Sequence, residues 1–538
     1  MKRRVRVLAI SASTIVAVGG AATGVGLAST PHGPFLTGVP TANSKSDGYS
    51  PPSRLSPQLR QVVAAQGSTK VENPGALVSY YGYFNDVTNA AGAPQMLPTP
   101  TSTTEAQKSE PDKNTYLVLD RGLPGADPHY YYGTHFLFQG HESGVDGKSF
   151  ISRINLDADA AHRVTVLATT DTAGQPIAPI DGSTWDPWAR RLILTTEDAG
   201  APTYSATPGY PSVVTDISGS LGRGGYEGVQ NDSAGNLWIV EDSGGPAKNG
   251  TTAKRPNSFL YRYVPARPGD LAHGKLQVLQ VFNGAGNPIT FDSQAALNNP
   301  DQVAVHTYGT VLKTRWVTIH NTATDGTTPF DANSLAKAAQ ATPFKRPENG
   351  QFQPDSGFRT FFFDETGDTN STTPEAPSAG GFGSILKLTQ GSPSASTGKL
   401  TLFYASDEAH SSLDNVTFLS KDLVTFVQDA GDGLHGQANA LDSGYVWDTG
   451  VNYSNPANQP VRWLAEGRDP SATIDSAFGG FSKNEGDNEI TGVHVSTGDP
   501  SAHGILGATA PDLRDRGWRW FYTQQHGDNS TWEVLYRS

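Results

Sequence analysis

Apolar runs of about five residues recur along the chain, each preceded by a polar turn and each ending on an acidic residue followed shortly by Gly. Runs this short, rich in β-branched and aromatic residues and bounded by turn formers, predict strands rather than helices. Laid against itself, the chain shows the pattern as a repeat. "DGSTWDPWARRLILTTEDAG" begins at Asp181, "EGVQNDSAGNLWIVEDSGG" at Glu227, "ENGQFQPDSGFRTFFFDETGD" at Glu348 and "DNVTFLSKDLVTFVQDAGD" at Asp414. Each copy opens on a carboxylate followed by Gly or Asn and closes on an acid at nearly constant spacing. Two copies are partial: "HFLFQGHESG", His135 to Gly144, has the closing half, and "EITGVHVSTGD", from Glu489, opens a unit that closes at "RWFYTQQHGDN", Arg519 to Asn529. Six closing halves predict six units. Strand, turn, strand and an outer pair, repeated in this way, spell an all-β fold, a six-bladed β-propeller, with loop insertions after about 265 and 431.

Composition agrees with many short strands joined by turns, since 538 residues include 59 Gly and 37 Pro. Lys2, Arg3, Arg4 and Arg6 precede an apolar, small-residue run, and residues 1–28 read as a secretory signal peptide. An uncleaved membrane anchor is the other reading, weakened by the Gly19-Gly20 pair. Residues 29–75, rich in Pro, Ser, Thr and Gly, are expected to be an irregular leader with one short helix at 57–65, and residues 76–538 the propeller. The net charge of −13 argues against nucleic acid or an anionic membrane as partner and suits a protein that collects cations. With no cysteine in the chain, disulfides, thiolate nucleophiles and Cys-ligated metals are excluded.

In a propeller the innermost strands line one channel, so the residues that open the units converge on its mouth. Asp181, Glu227, Glu348, Asp414 and Glu489 would then face one another, a like-charge cluster that requires a cation or retained protons. An all-oxygen, anionic donor set without Cys is hard-cation chemistry, and Ca²⁺ is the expected ion. Acid-plus-Gly endings are also ordinary turn chemistry, and their common register is what favours a site. In "QGHESG" adjacent strand residues face opposite ways, so at most one of His141 and Glu142 can join it. His526 reads as a blade-end cap, and Trp185, Trp188, Trp238 and Trp520 as core between blades. No G-x-S-x-G elbow supports a serine hydrolase.

Motifs in order along nearly the whole chain after the leader resemble the PhoX-type alkaline phosphatases, exported metal-dependent bacterial enzymes. They are "PW…LTTED", "LGRGGYEG", "FLYRYVP", "RPENG", "LDNVTF", "NEITGVHV" and "QHGDN". The resemblance implies a six-bladed propeller with calcium, and in relatives iron, at its axial mouth. Glu197, Glu227 and Glu348 take metal-binding glutamates, Arg346 the phosphate-binding arginine, and Asp414 and Asn415 the family's Asp-Asn pair; Glu489 completes the expected metal-ligand set. Two positions depart from the family: its Cys is Thr196 and its His is Tyr226, which puts iron in doubt and leaves the oxygen ligands.

The expected function is therefore phosphate-ester hydrolysis, by a phosphomonoesterase rather than a phosphodiesterase, with Arg346 and Glu227 as catalytic residues. The expected protein is a secreted or periplasmic monomer acting on a small phosphate ester. A non-catalytic calcium-stabilised binding propeller and a calcium-dependent lactonase-like hydrolase are the rivals. For Arg346 itself the alternative is a surface ion pair with Glu348, because Pro347 predicts an extended strand in which residues two apart share a face.

Overall fold

The computed structural model describes residues 36–45, 51–85, 107–142, 147–247, 253–368, 377–467, 489–525 and 529–537. The predicted signal peptide and His526 lie outside them. Each repeat becomes the inner half of a four-stranded antiparallel blade, and six blades follow one another in chain order. Their innermost strands are Pro111–Val118, Ser183–Asp186, Tyr226–Asn231, Gly350–Phe352, Leu413–Phe418 and Glu489–Ser496, in blades I to VI. Neighbouring inner strands contact one another in that order and blade VI returns to blade I, so the ring closes.

The apolar runs are the second strands, such as Leu237–Glu241, which is buried throughout. Blades pack on both faces, so such a strand reads as a continuous apolar run instead of an alternating one. Six hydrophobic clusters of the described residues each fill the gap between two successive blades. Trp238 joins blades III and IV, and Trp520 packs on Trp463 between V and VI with ring centroids 4.3 Å apart. Trp185 and Trp188 are half-buried against such clusters.

The N-terminal segment differs from the expected leader. Leu59–Ala65 is a strand, paired from Leu59↔Tyr536 to Ala65↔Thr531 as the outermost strand of blade VI, and Arg54–Leu55 adds an edge to blade V. An N-terminal strand thus completes the last blade and ties this segment to the C-terminal strand. The short helix expected at 57–65 is therefore a strand, since pairing at a sheet edge overrides propensity, and Val62 and Val63 are left exposed on this edge strand. The first insertion also starts later than expected, because Gly274–Phe282 is the fourth strand of blade III. Beyond it, Leu312–Asn321 pairs with the outer strands of both blade III and blade IV and joins them into one nine-stranded sheet. The second insertion is the helix Gly431–Ala438.

Candidate metal centre

Where the inner strands begin, every blade presents a short pair of residues to the axis. In blades I, III and V the antiparallel register breaks at Asp112-Lys113, Glu227-Gly228 and Asp414-Asn415. Such bulges re-aim side chains and commonly stand beside sites. Asp181-Gly182 and Glu348-Asn349 occupy the same place just ahead of the strands of blades II and IV. In blade VI the place belongs to Thr491-Gly492, because Thr491 Oγ1 links Asn415 of blade V to Asp112 of blade I; Glu489 stands two residues earlier, opposite Gln525. The small second residue has a steric cause at two positions. A Cβ on Gly182 would lie 2.1 Å from the Glu227 carbonyl oxygen, and one on Gly228 would lie 2.5 Å from Asn349 Oδ1.

A second tier comes from the ends of the second strands, which supply Glu142, Glu197 and Asp242. Together the two tiers form three interlocking groups, Asp112–Glu142–Asp181, Asp181–Glu197–Glu227 and Glu227–Asp242–Glu348, each with its oxygens within 4.8 Å of one another. The structure therefore brings Glu197, Glu227 and Glu348 together as neighbours. Glu489 stands beside them, within electrostatic reach of Asp429, Glu142, Asp414 and Asp112. Asp414 and Asn415 are buried at the same axis but belong to none of the three groups. Asp112, Glu142, Asp181 and Asp242 are members that the sequence reading left out of the ligand set. Of the adjacent acids at the end of blade II, Glu197 joins the cluster and Asp198 is exposed. His141 is turned away, buried between Ser109 and Ser152 with its pKa pushed down to about 3 by burial.

Burial raises the pKa values of these carboxyls, and at all of them but Asp414 the like charges around them add to it. Asp181 is pushed up to about 7 and Asp414 to about 6, and Asp112, Glu142, Glu227, Glu348 and Glu489 stand well above the carboxylate range. Two pairs hydrogen-bond carboxyl to carboxylate, Asp181 with Glu227 and Glu142 with Glu197.

Arg346 flanks the cluster. Its Nε lies 3.0 and 2.8 Å from the two Asp242 oxygens, and its Nη2 lies 2.5 Å from Asp242 Oδ2 and 3.5 Å from Glu348 Oε1. The expected pairing with Glu348 is thus secondary to Asp242. The extended backbone expected there is absent too, since Arg346 has φ 54, in the left-handed region that non-glycine residues seldom adopt.

The donor set fits a hard cation. All seven members of the three groups offer carboxylate oxygen, and the buried Asp364 Oδ2, Asn349 Oδ1 and Gln525 Oε1 have no hydrogen-bond partner among the described residues. A thiolate-bridged iron does not fit. Thr196 is buried and donates its hydroxyl to the Pro202 carbonyl at 3.0 Å, and the Tyr226 hydroxyl donates to the Leu221 carbonyl at 2.8 Å. A cavity of about 1200 Å³ lies at the other end of blade VI around Arg60, Arg519 and Arg537, and none of these carboxylates lines it.

No curated protein matches the chain. Among solved structures, Pseudomonas fluorescens PhoX in complex with vanadate, a transition-state analogue, is similar over 93% of this chain and 98% of its own, at 10% identity and a TM-score of 0.55. An auxiliary nutrient binding protein from Bacteroides thetaiotaomicron VPI-5482 is similar over 85% of this chain and 76% of its own at 9% identity, with a TM-score of 0.35, too low to bear on the fold. The family model for alkaline phosphatase PhoX matches residues 251–498, which span Arg346, Glu348, Asp414, Asn415 and Glu489. Residues 251–498 thus match the family model for alkaline phosphatase PhoX, on a six-bladed propeller whose axial carboxylates could hold metal.

Proposed function

We propose that the protein is an exported, calcium-dependent phosphatase that hydrolyses small phosphate monoesters at the acidic mouth of the propeller and works as a monomer. One observation carries the reading: three carboxylate groups interlocked through Asp181 and Glu227, with a guanidinium at their edge. Glu197, Glu227 and Glu348, with Asp112, Glu142, Asp181 and Asp242, are the residues that would hold calcium; Asp414, Asn415 and Glu489 line the same axis. Bound there, the ion would supply positive charge to the phosphoryl oxygens and acidify a water.

The chain's own residues supply the rest. Asp242 and Glu348 engage Nε and Nη2 of Arg346, so Nη1 is the edge left to donate to a phosphoryl oxygen. The two carboxylates also hold the guanidinium plane fixed, which removes the entropy a free arginine would lose on binding. Glu227 belongs to two of the three groups, so it both anchors the cluster and offers an acceptor to the attacking water.

A second reading, a non-catalytic calcium propeller, is favoured by the same salt bridge, since Arg346 already has a buried anion as partner. Purified protein should be assayed with a chromogenic phosphomonoester, a phosphodiester and a lactone, with calcium and with a chelator. Monoester hydrolysis that chelation abolishes and calcium restores is expected. Inactivity on all three substrates with calcium present would leave the binding propeller.

A further inference from the structure

At the second position of each axial pair, five blades carry Gly182, Gly228, Asn349, Asn415 and Gly492, and blade I carries Lys113. This lysine is 2% exposed, and its Nζ donates to Asn415 Oδ1 at 2.7 Å, reaching from blade I across blade VI to blade V. The acids that draw it electrostatically are Asp414, then Asp112, Asp364 and Asp181. Asn415 turns its amide onto both oxygens of Asp414, at 2.9 Å each, and onto Thr491 Oγ1 at 2.9 Å. Thr491 in turn donates to Asp112 Oδ1 at 2.6 Å. The amide oxygen of Asn415 is therefore spent on the ammonium, and its NH₂ group faces Asp414, an orientation that suits a lysine partner.

The metal-capable groups all lie on blades I to IV, yet Asp414 and Asp364 are buried at the same axis, and Asp364 Oδ2 has no hydrogen-bond partner among the described residues. Buried carboxylates require a counter-charge, and here a protein cation is within reach. In the axial pairs blade VI contributes Thr491 rather than a carboxylate, so there the arc from V through VI to I presents Asp414 and Asp112, against Asp181, Glu227 and Glu348 in the rest of the ring.

We infer that this arc is a cation site already filled by the Lys113 ammonium, with Asp414, Asp364 and Asn415 acting as the lysine's partners and metal confined to the carboxylates of blades I to IV. The last clause rests on the metal centre proposed above. Lys113 is then a positioning residue: it fixes how many ions the axis takes and keeps them on the Arg346 side.

Removing the ammonium should open the arc to a metal, because Asp414, Asp364, Asn415 Oδ1 and Thr491 Oγ1 are oxygen donors of the type calcium takes. The test counts calcium per full-length chain by elemental analysis after saturation and desalting. Lys113→Met should carry one more calcium than wild type, whatever the wild-type number, and Asp414→Asn should carry the wild-type number. An unchanged count in Lys113→Met, or one ion fewer in Asp414→Asn, would overturn the inference. A wild type with no calcium and a Lys113→Met variant with one would support it while removing the metal centre proposed above. If Lys113→Met does not fold, Lys113→Gln carries the same expectation, and Asp414→Asn decides independently.

Discussion

Replacing Arg346 by Ala separates the structural from the chemical part of its role. The guanidinium makes three contacts of 3.0 Å or less with Asp242 and one of 3.5 Å with Glu348, and both carboxylates are buried. Removing one partner of a buried pair costs about 3–5 kcal/mol, because the remaining charge keeps its desolvation penalty. The Arg346 side chain is 22% exposed, which places the expected loss near ~3 kcal/mol. Urea unfolding of metal-stripped protein measures it. Asp242→Asn in the Arg346→Ala background should restore most of the loss, giving a coupling of about 2 kcal/mol in the double-mutant cycle. A coupling below about 0.5 kcal/mol would refute the ion-pair account.

Catalysis is read separately, at saturating calcium. Loss of one donor to a phosphoryl group costs about 2–4 kcal/mol of transition-state stabilisation, which is roughly a 30- to 1000-fold loss in kcat/KM. Lys at position 346 should recover part of the stability and little of the rate, because a point charge cannot replace a planar fork. If Arg346→Ala shows the coupling but hydrolyses monoesters as fast as wild type, the guanidinium is only a counter-charge for Asp242.

Two further outcomes follow from the axis. Asp181 and Asp414 hold their protons up to about pH 7 and about pH 6, against an ordinary value of 3.8. Between pH 4 and 7 the native state therefore binds more protons than the unfolded chain, and metal-stripped protein should lose stability as pH rises through that window. Scanning calorimetry should show a higher Tm at pH 5 than at pH 8 with chelator, and calcium should remove the difference while releasing protons on binding. A pH-independent Tm without metal would contradict the buried cluster. Gly182→Ala would place its Cβ 2.1 Å from the Glu227 carbonyl oxygen and 2.3 Å from Thr195 Oγ1, so a loss of about 1–3 kcal/mol and weaker calcium binding are expected. Gly200→Ala, with nothing within 4 Å of the added Cβ, is the control and should change stability by less than about 0.5 kcal/mol.

The blade pattern was legible because each second strand is buried on both faces and so stands out as an apolar run. Glu197, Glu227 and Glu348 were legible for a related reason, since they hold fixed places in the repeat. Which of two adjacent acids faces the axis was not, because one residue of shift reverses a strand's faces. At the end of blade III, Glu241 turns into the fold, where Tyr261 donates to it at 2.9 Å and Asn333 at 2.8 Å, and Asp242 is the one that meets Arg346. In blade IV, Glu365 is held by His306 at 2.7 Å and Ser384 at 2.6 Å and leaves the site altogether. Asp112 was missed because Lys113 follows it where the repeat has Gly or Asn, and Thr491 because it carries no carboxylate to mark it in the repeat. The strand at Leu59–Ala65 carries no copy of the repeat, and its place depends on a partner at the far end of the chain.

The distribution of charge around the ring gives an independent pointer to where metal would sit. Among the described residues, two protein cations meet the axial carboxylates, Arg346 at Asp242 and Glu348 and Lys113 beside Asp414. Two pairs of carboxyls in the cluster are placed to share protons, Asp181 with Glu227 and Glu142 with Glu197. A proton held between two buried carboxylates occupies the place of a missing positive charge, and it is the charge a divalent ion displaces most readily as pH rises. The first ion should therefore enter at the Asp181–Glu227 pair, each of whose members belongs to two of the three groups. Glu227 also shares a group with Asp242 and Glu348, the two partners of Arg346, so a phosphoryl group at that end of the pair would meet the metal on one side and the guanidinium on the other.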